Sequence, residues 1–257
     1  MKQDSRVAAE FERSASAVSS GFRPPPLSVT LDSLRAHFRS DVAKVCAPLR
    51  NPHHEPRVSE REAREARPAA VLIAIVNRDP EPTLLLTRRH EDISYGGHIC
   101  FAGGGREPGD PDFEATALRE ALEEIALTEN SVEIIGRLGD YVTHSGFRIA
   151  PIVGLVNPPL DLRPRPGEVD EILEIPLAYT LRANSYQLWR HTRLDEERGH
   201  FTLSYEECIV TGPTVSLMMG FYEELVKTHR PLQEQAAAHP HAWSEALDVA
   251  PKDVVDT

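Results

Sequence analysis

The stretch Gly103–Leu127, GGGREPGDPDFEATALREALEEIAL, sets three consecutive glycines ahead of a segment carrying Glu120, Glu123 and Glu124. Carboxylates at i, i+3 and i+4 lie on one face of a helix, and like charges at that spacing destabilise it. Something positive has to compensate. Hard divalent cations such as Mg2+ and Mn2+ take oxygen ligands, commonly a few carboxylates together with phosphate oxygens of a substrate. Glycine has no Cβ, so a turn at Gly103–Gly105 would bring backbone carbonyls and amides close to the same cation and substrate. A string such as ALREALEE is also ordinary on a solvated helix. The glycine turn one short loop ahead, and strands on both sides, favour the metal-site reading.

These residues need a helix that buries its other side. The 3.6-residue period predicts a helix over roughly 113–127, with Leu118, Ala121, Leu122 and Ile125 opposite the three glutamates. Ahead of it, the apolar runs Ala69–Val76 and Thr83–Thr87 flank NRDPEP and read as a β-hairpin. GHICFAGGG reads as a short strand ending in the glycine turn. Further on, VEIIGRLGDYVTHSGFRIAPIVGLV reads as two or three strands, EVDEILEIPLAYTL as a strand with a helical turn after Pro176, and HFTLSYEECIVTG as paired strands. A closing helix begins at Pro213 and buries Val215, Leu217, Met218, Phe221 and Leu225. Strands on both sides of one central helix imply an α+β fold, a mixed β-sheet between helices (an α/β/α sandwich), and not a regular βαβ repeat. Three regions follow: an N-terminal extension over 1–66, largely polar and mobile in its first 20 or so residues and holding a helix over 31–46 capped by Thr30 or Asp32; a compact domain over 67–230; and a loose tail over 231–257.

Composition excludes several classes. The 257 residues carry 28 Lys+Arg against 40 Asp+Glu, a net charge of −12, which argues against a general nucleic-acid binder. Anionic small substrates remain compatible, because a bound divalent cation reverses the local sign. Three scattered cysteines, Cys46, Cys100 and Cys208, form no disulfide framework and suit a reducing, cytoplasmic setting. The first residues lack the apolar core of a signal peptide, and the longest apolar run, Ala69–Val76, is too short to span a bilayer. His53, His54 and HPHAW have no cysteines at zinc-ligand spacing.

REALEEIAL resembles the core of the Nudix box, G-x5-E-x7-R-E-U-x-E-E-x-G-U with U apolar, at Arg119, Glu120, Ala121, Glu123, Glu124 and Leu127. Ala126 stands where the pattern has glycine. Between Gly104 and Arg119 lie residues 105–118, 14 where the pattern has 13. Strict counting puts Pro111 at the earlier glutamate, and Glu107 or Asp110 would serve in its place. The wider chain, about Ala69 to Val226, is similar to the coenzyme A pyrophosphatase branch of that family. LLTRRHEDISYGGHICFAGG keeps Leu85, Leu86, Thr87, Arg89, Gly97, Phe101, Gly103 and Gly104 of its pattern. It has His90 for a serine, lacks a second arginine, is one residue shorter, and has Ala102 where proline is usual.

The resemblance implies a Nudix fold and metal-dependent hydrolysis of a nucleoside diphosphate linked to another group, here coenzyme A or an acyl-coenzyme A. It implies that Glu120, Glu123 and Glu124 bind Mg2+ or Mn2+, that Glu124 is the strongest ligand, and that a carbonyl of Gly103 or Gly104 completes the coordination. Arg119 would orient a box carboxylate, with Glu123 one turn on. Arg88 and Arg89 would meet phosphate, or form surface ion pairs. Glu168, Glu171 and Glu174 are outside candidates for a general base. His144, Tyr186 and Trp189 could border the substrate, although packing roles are commoner for such residues. The partner is a small-molecule diphosphate, not nucleic acid or a membrane, and a homodimer is left open. The alternatives are another Nudix substrate (ADP-ribose, a dinucleotide, an NDP-sugar) or a Nudix-fold ligand sensor without turnover.

Overall fold

The computed structural model describes residues 16–18, 29–39, 58–182, 185–193 and 196–228; at 16–18, 60, 188–193, 196–199 and 226–228 it describes the backbone alone. The tail over 231–257, residues 40–46 of the helix expected over 31–46, the four histidines of the zinc reading and the Trp189 side chain therefore lie outside the described residues.

The elements in chain order are β1 (Ser16–Val18), α1 (Leu31–Arg39), α2 (Glu60–Glu65), β2 (Arg67–Val76), β3 (Thr83–Arg89), β4 (Ile99–Cys100), β5 (Gly103–Gly105), α3 (Phe113–Ile125), β6 (Val132–Arg137), β7 (Tyr141–Val142), β8 (Phe147–Val156), β9 (Val169–Pro176), α4 (Leu177–Thr180), β10 (Tyr186–Arg193), β11 (Glu196–Tyr205), β12 (Cys208–Thr211) and α5 (Gly212–Thr228). Two helix starts follow their sequence signals. Thr30 caps α1, its hydroxyl accepting from the Ser33 amide at 3.1 Å. Ser59 and Glu62 form a capping box on α2.

The main sheet has eight strands and runs β4-β3-β2-β8-β6, with β5 on β2, β7 on β8 and β9 on β3. Only β2 and β8 are parallel, in register from Arg67↔Phe147 to Val76↔Val156; every other pair is antiparallel. The hairpin of β2 and β3 is joined only over Ala74–Val76. Beyond that the two strands part. In the opening, β5 pairs with β2 over Ala69–Val71, and β4 pairs with β3 at Thr87 and Arg88. So Gly103–Gly105, expected as a turn, is itself an edge strand. A Cβ on Gly103 would stand 2.4 Å from the Ala70 carbonyl oxygen, and no larger residue fits that approach.

Both faces of the sheet are covered, which the alternation along β2 shows. Leu72, Ala74 and Val76 pack with Ala117, Ala121 and Ile125 of α3. Ile73 and Ile75 face the opposite way, into a second cluster with Leu34 and Phe38 of α1 and with Val215, Leu217, Met218, Phe221 and Leu225 of α5. The mixed sheet between helices is thus as expected, and α5 buries all five predicted residues. The helix α1 belongs to the same core. Its Phe38 ring stacks on Phe221 at 6.3 Å and lies on Gly136 of β6, where a Cβ would come within 2.5 Å of the ring. A second, four-stranded sheet, β1-β10-β11-β12, lies beside α5; its strand β1 falls in the segment expected to be mobile.

Two expectations about α3 fail together. Leu122, placed on the packed face, is 51% exposed, while Glu124, placed on the solvent face, is 8% exposed. The buried face is centred on Ala117, Ala121 and Ile125 and includes Thr116 and Glu124. The axis of packing is rotated toward the small residues, which let α3 approach the sheet closely. The helix ends at Ala126, which adopts the left-handed conformation (φ 56°, ψ 26°) and donates its N–H to Ala121 and Leu122. This is the C-cap position where glycine is favoured. Ala126→Gly should therefore raise stability by about 0.5–1 kcal/mol, the left-handed penalty of alanine less the added chain entropy of glycine. The midpoint of urea unfolding checks this, and a fall in the midpoint would refute it.

Candidate active site

The site is built where the wedge between β2 and β3 meets α3. Gly103 donates its N–H to Glu124 Oε2 at 3.2 Å. The Glu120 carboxylate rests on Gly104, where a Cβ would lie 2.5 Å from Oε1. The bare edge of the glycine strand is thus the seat of two carboxylates from the next helix. Both have raised pKa values. Burial is the main cause at Glu124, which is pushed up to about 7 against the pull of the Gly103 amide, with Glu120 and Glu168 raising it further and Arg89 lowering it. Burial also raises Glu120, and Arg119 opposes it. Glu123 stands apart on the rim, 3.4 Å from Arg119 and 3.7 Å from Arg165.

Arg119 ties the site together. Its Nε and Nη2 donate to Asp110 Oδ1 and Oδ2, each at 3.1 Å, and Nη2 also donates to the Gly105 carbonyl at 2.9 Å. Its Nη1 lies 3.0 Å from Glu120. Asp110 in turn accepts from the Glu107 amide and the Thr116 hydroxyl, both at 2.9 Å. The Arg119 guanidinium and these donors hold the Asp110 carboxyl at about 2, well below its usual range. Of the two residues left open for the earlier carboxylate, the geometry selects Asp110. Glu107 stays exposed, 3.9 Å from Arg119.

Reading along the chain, Arg88 and Arg89 separate at a β-bulge. Arg88 pairs with Glu171 at 3.1 Å and meets Cys208. Arg89 lies on the other side, donating to the Ser94 carbonyl at 3.1 Å within the field of Glu124. Of the outside carboxylates, Glu174 accepts from Arg78 and Thr83 near the hairpin turn. Glu168 is the one whose charge reaches Glu124, and it sits 3.3 Å from Arg165. Tyr186 is a core residue donating to the Thr180 carbonyl at 2.6 Å, and His144 is exposed on its loop. Sequence reasoning missed Arg165. Its backbone N–H donates to the Glu124 carbonyl at 2.8 Å, and its side chain lies between Glu123 and Glu168. No motif around Pro164 and Pro166 signals that role.

An NUDIX domain model matches residues 66–185, the span that holds this whole arrangement. The chain is 37% identical over 153 residues to a protein of Photorhabdus laumondii subsp. laumondii named as an uncharacterized Nudix hydrolase NudL, covering 59% of this chain and 81% of that one. A NudL of the same name from Yersinia enterocolitica is 40% identical over 163 residues, covering 61% and 80%. The chain belongs to the Nudix hydrolase family. Among solved structures, a C. elegans Ap4A hydrolase is similar with a TM-score of 0.38 and 20% identity, over 42% of this chain and 80% of that one. Nudix hydrolases generally need divalent metal ions. Among the described residues, no three His, Cys, Asp or Glu side chains already converge on one point, and no helix is long and apolar enough to cross a membrane.

The Nudix box of this chain is thus locked by an ion pair that can be tested. Asp110→Ala should cost about 2–3 kcal/mol, because it removes both bonds of the bidentate pair with a half-buried guanidinium and leaves the Glu107 amide and Thr116 hydroxyl without that acceptor. The pH dependence follows from the depressed folded value. Asp110 contributes fully above its unfolded value near 3.8, and the contribution is lost as pH falls through about 2. Unfolding midpoints between pH 5 and 2 should therefore fall less steeply in Asp110→Ala than in the parent, and parallel slopes would refute the role.

Proposed function

We propose that this Nudix hydrolase cleaves the diphosphate of coenzyme A or an acyl-coenzyme A, giving 4′-phosphopantetheine (S-acylated when the substrate is) and adenosine 3′,5′-bisphosphate. The observation that carries the hydrolytic reading is the pair Glu120 and Glu124, two carboxylates drawn out of water onto Gly103 and Gly104. Oxygen donors of that kind suit a hard divalent cation, Mg2+ or Mn2+, better than they suit each other. Glu124, Glu120 and Glu123 would hold it, with a carbonyl of Gly103 or Gly104. Arg119 and Arg165 compete with the cation for Glu123, so Glu124 is the strongest ligand. When bound, the cation offsets the charge of the diphosphate and makes the attacking water more acidic.

The protein's own groups do the rest. Arg119, fixed by Asp110, orients Glu120. Arg89 faces the box and meets a phosphate, whereas Arg88 is paired with Glu171. Glu168, whose charge reaches Glu124, is the favoured general base outside the box. The coenzyme A assignment is supported by the residues of the β3–β5 segment that agree with that branch: Leu85, Leu86, Thr87, Arg89, Gly97, Phe101, Gly103 and Gly104.

Two measurements test this. Purified protein with Mg2+ or Mn2+ is offered coenzyme A, acetyl-coenzyme A, ADP-ribose, NADH, a diadenosine polyphosphate and an NDP-sugar, and products are read by mass spectrometry. Release of 4′-phosphopantetheine is the expected result; cleavage of another compound alone would overturn the substrate, and cleavage of none would overturn the activity. Glu124→Gln should lower kcat by at least about 100-fold. Its melting temperature should hold or rise, because one buried like-charge repulsion with Glu120 is removed while the amide oxygen still accepts from Gly103.

A further inference from the structure

Tyr95 is the most exposed of the large apolar side chains described, at 64%. It also has a left-handed backbone, φ 60°, which a bulky side chain rarely adopts. The loop that carries it, 90–98, is closed upon itself. Gly97 donates to the Arg89 carbonyl and Arg89 to that of His98, both at 3.0 Å; His98 donates to Tyr95 at 3.2 Å, and Asp92 to His90 Nδ1 at 3.1 Å. At Gly96 a Cβ would lie 2.3 Å from the Glu91 carbonyl oxygen, so the loop has no room for a side chain there. The Tyr95 ring is steadied by an edge contact to His98 at 5.8 Å. A loop this tightly tied, with a strained and solvated aromatic within it, holds that residue's backbone in place before any ligand arrives.

The position of the loop gives the ring a purpose. The Arg89 guanidinium hydrogen-bonds the Ser94 carbonyl, next to Tyr95 in the chain, and its charge acts on both Glu124 and His98. One arginine therefore joins the Tyr95 loop to the carboxylate site. A diphosphate met by Arg89 would lie beside the Ser94–Tyr95 backbone, and every nucleobase offers a flat π-face that can stack on a phenol ring.

We propose that Tyr95 is the platform on which the base of the substrate's nucleoside stacks, beside the diphosphate met by Arg89. This rests on the diphosphate-hydrolase reading. The test uses the full chain with Mg2+ and two probes that resist hydrolysis: adenosine 5′-(α,β-methylene)diphosphate and its ringless counterpart, methylenediphosphonate. Equilibrium dialysis of Tyr95→Ala should show the nucleotide Kd raised about tenfold, with the methylenediphosphonate Kd held within about twofold. Tyr95→Phe keeps the ring and should bind both probes as the parent does. An unchanged nucleotide Kd in Tyr95→Ala, equal weakening of both probes, or a Phe variant that behaves like Ala would each overturn the stacking role while leaving the hydrolase reading intact. Binding of neither probe by the parent chain would overturn the hydrolase reading and the platform with it.

Discussion

The bidentate ion pair between Arg119 and Asp110 is the constraint on which the site depends. Three pieces of chain that share no continuous hydrogen-bond ladder meet there: the end of the glycine strand through the Gly105 carbonyl, the loop before α3 through Asp110, and the helix itself through Arg119. A guanidinium fork has fixed geometry, so it sets orientation as well as distance. With Arg119 fixed, the neighbouring Glu120 is drawn to Gly104 and the next turn of the helix brings Glu124 to the Gly103 amide. The same cation partly offsets the negative charge collected on one helix.

That charge would otherwise be hard to sustain. Glu124 is buried with the Gly103 amide and the charge of Arg89 in its favour, and burial outweighs both in raising its pKa. The packing of Ala117, Ala121 and Ile125 against the sheet carries this carboxylate to the glycine strand. A divalent cation bound there would offset that charge, which is what supports the proposed metal-binding reading of the helix.

The sheet supplies the seat. Because β2 and β3 pair only near their turn, an opening forms into which β4 and β5 fit, and the site lies at its rim. Residues with no Cβ at Gly103 and Gly104 let that strand touch β2 on one side and the carboxylates on the other. The bulge at Arg88 and Arg89 then divides two adjacent arginines between different surroundings, one paired with Glu171 and one bonded to the Ser94 carbonyl with its charge acting on Glu124.

The order and type of most elements between β2 and α5 were legible in the sequence, because the 2- and 3.6-residue periods of the apolar residues are local signals; β1 and β10 were not read, and the glycine strand β5 was read as a turn. So were the family and the carboxylates, since REALEEIAL is a contiguous word. The same local information could not say which way α3 turns. A helical wheel ranks residues by polarity, whereas the contact with β2 selects small residues, so Ala117 and Ala121 face inward and Leu122 does not. Nor could spacing choose between Glu107 and Asp110, because an inserted residue in a loop has no period; only the reach of the Arg119 fork decides it. Arg165 was invisible for a related reason, being far from the box in sequence and brought to Glu123 by a backbone hydrogen bond. The chemistry available was written in residue types, and the arrangement that makes it a site came from long-range contacts that no local pattern encodes.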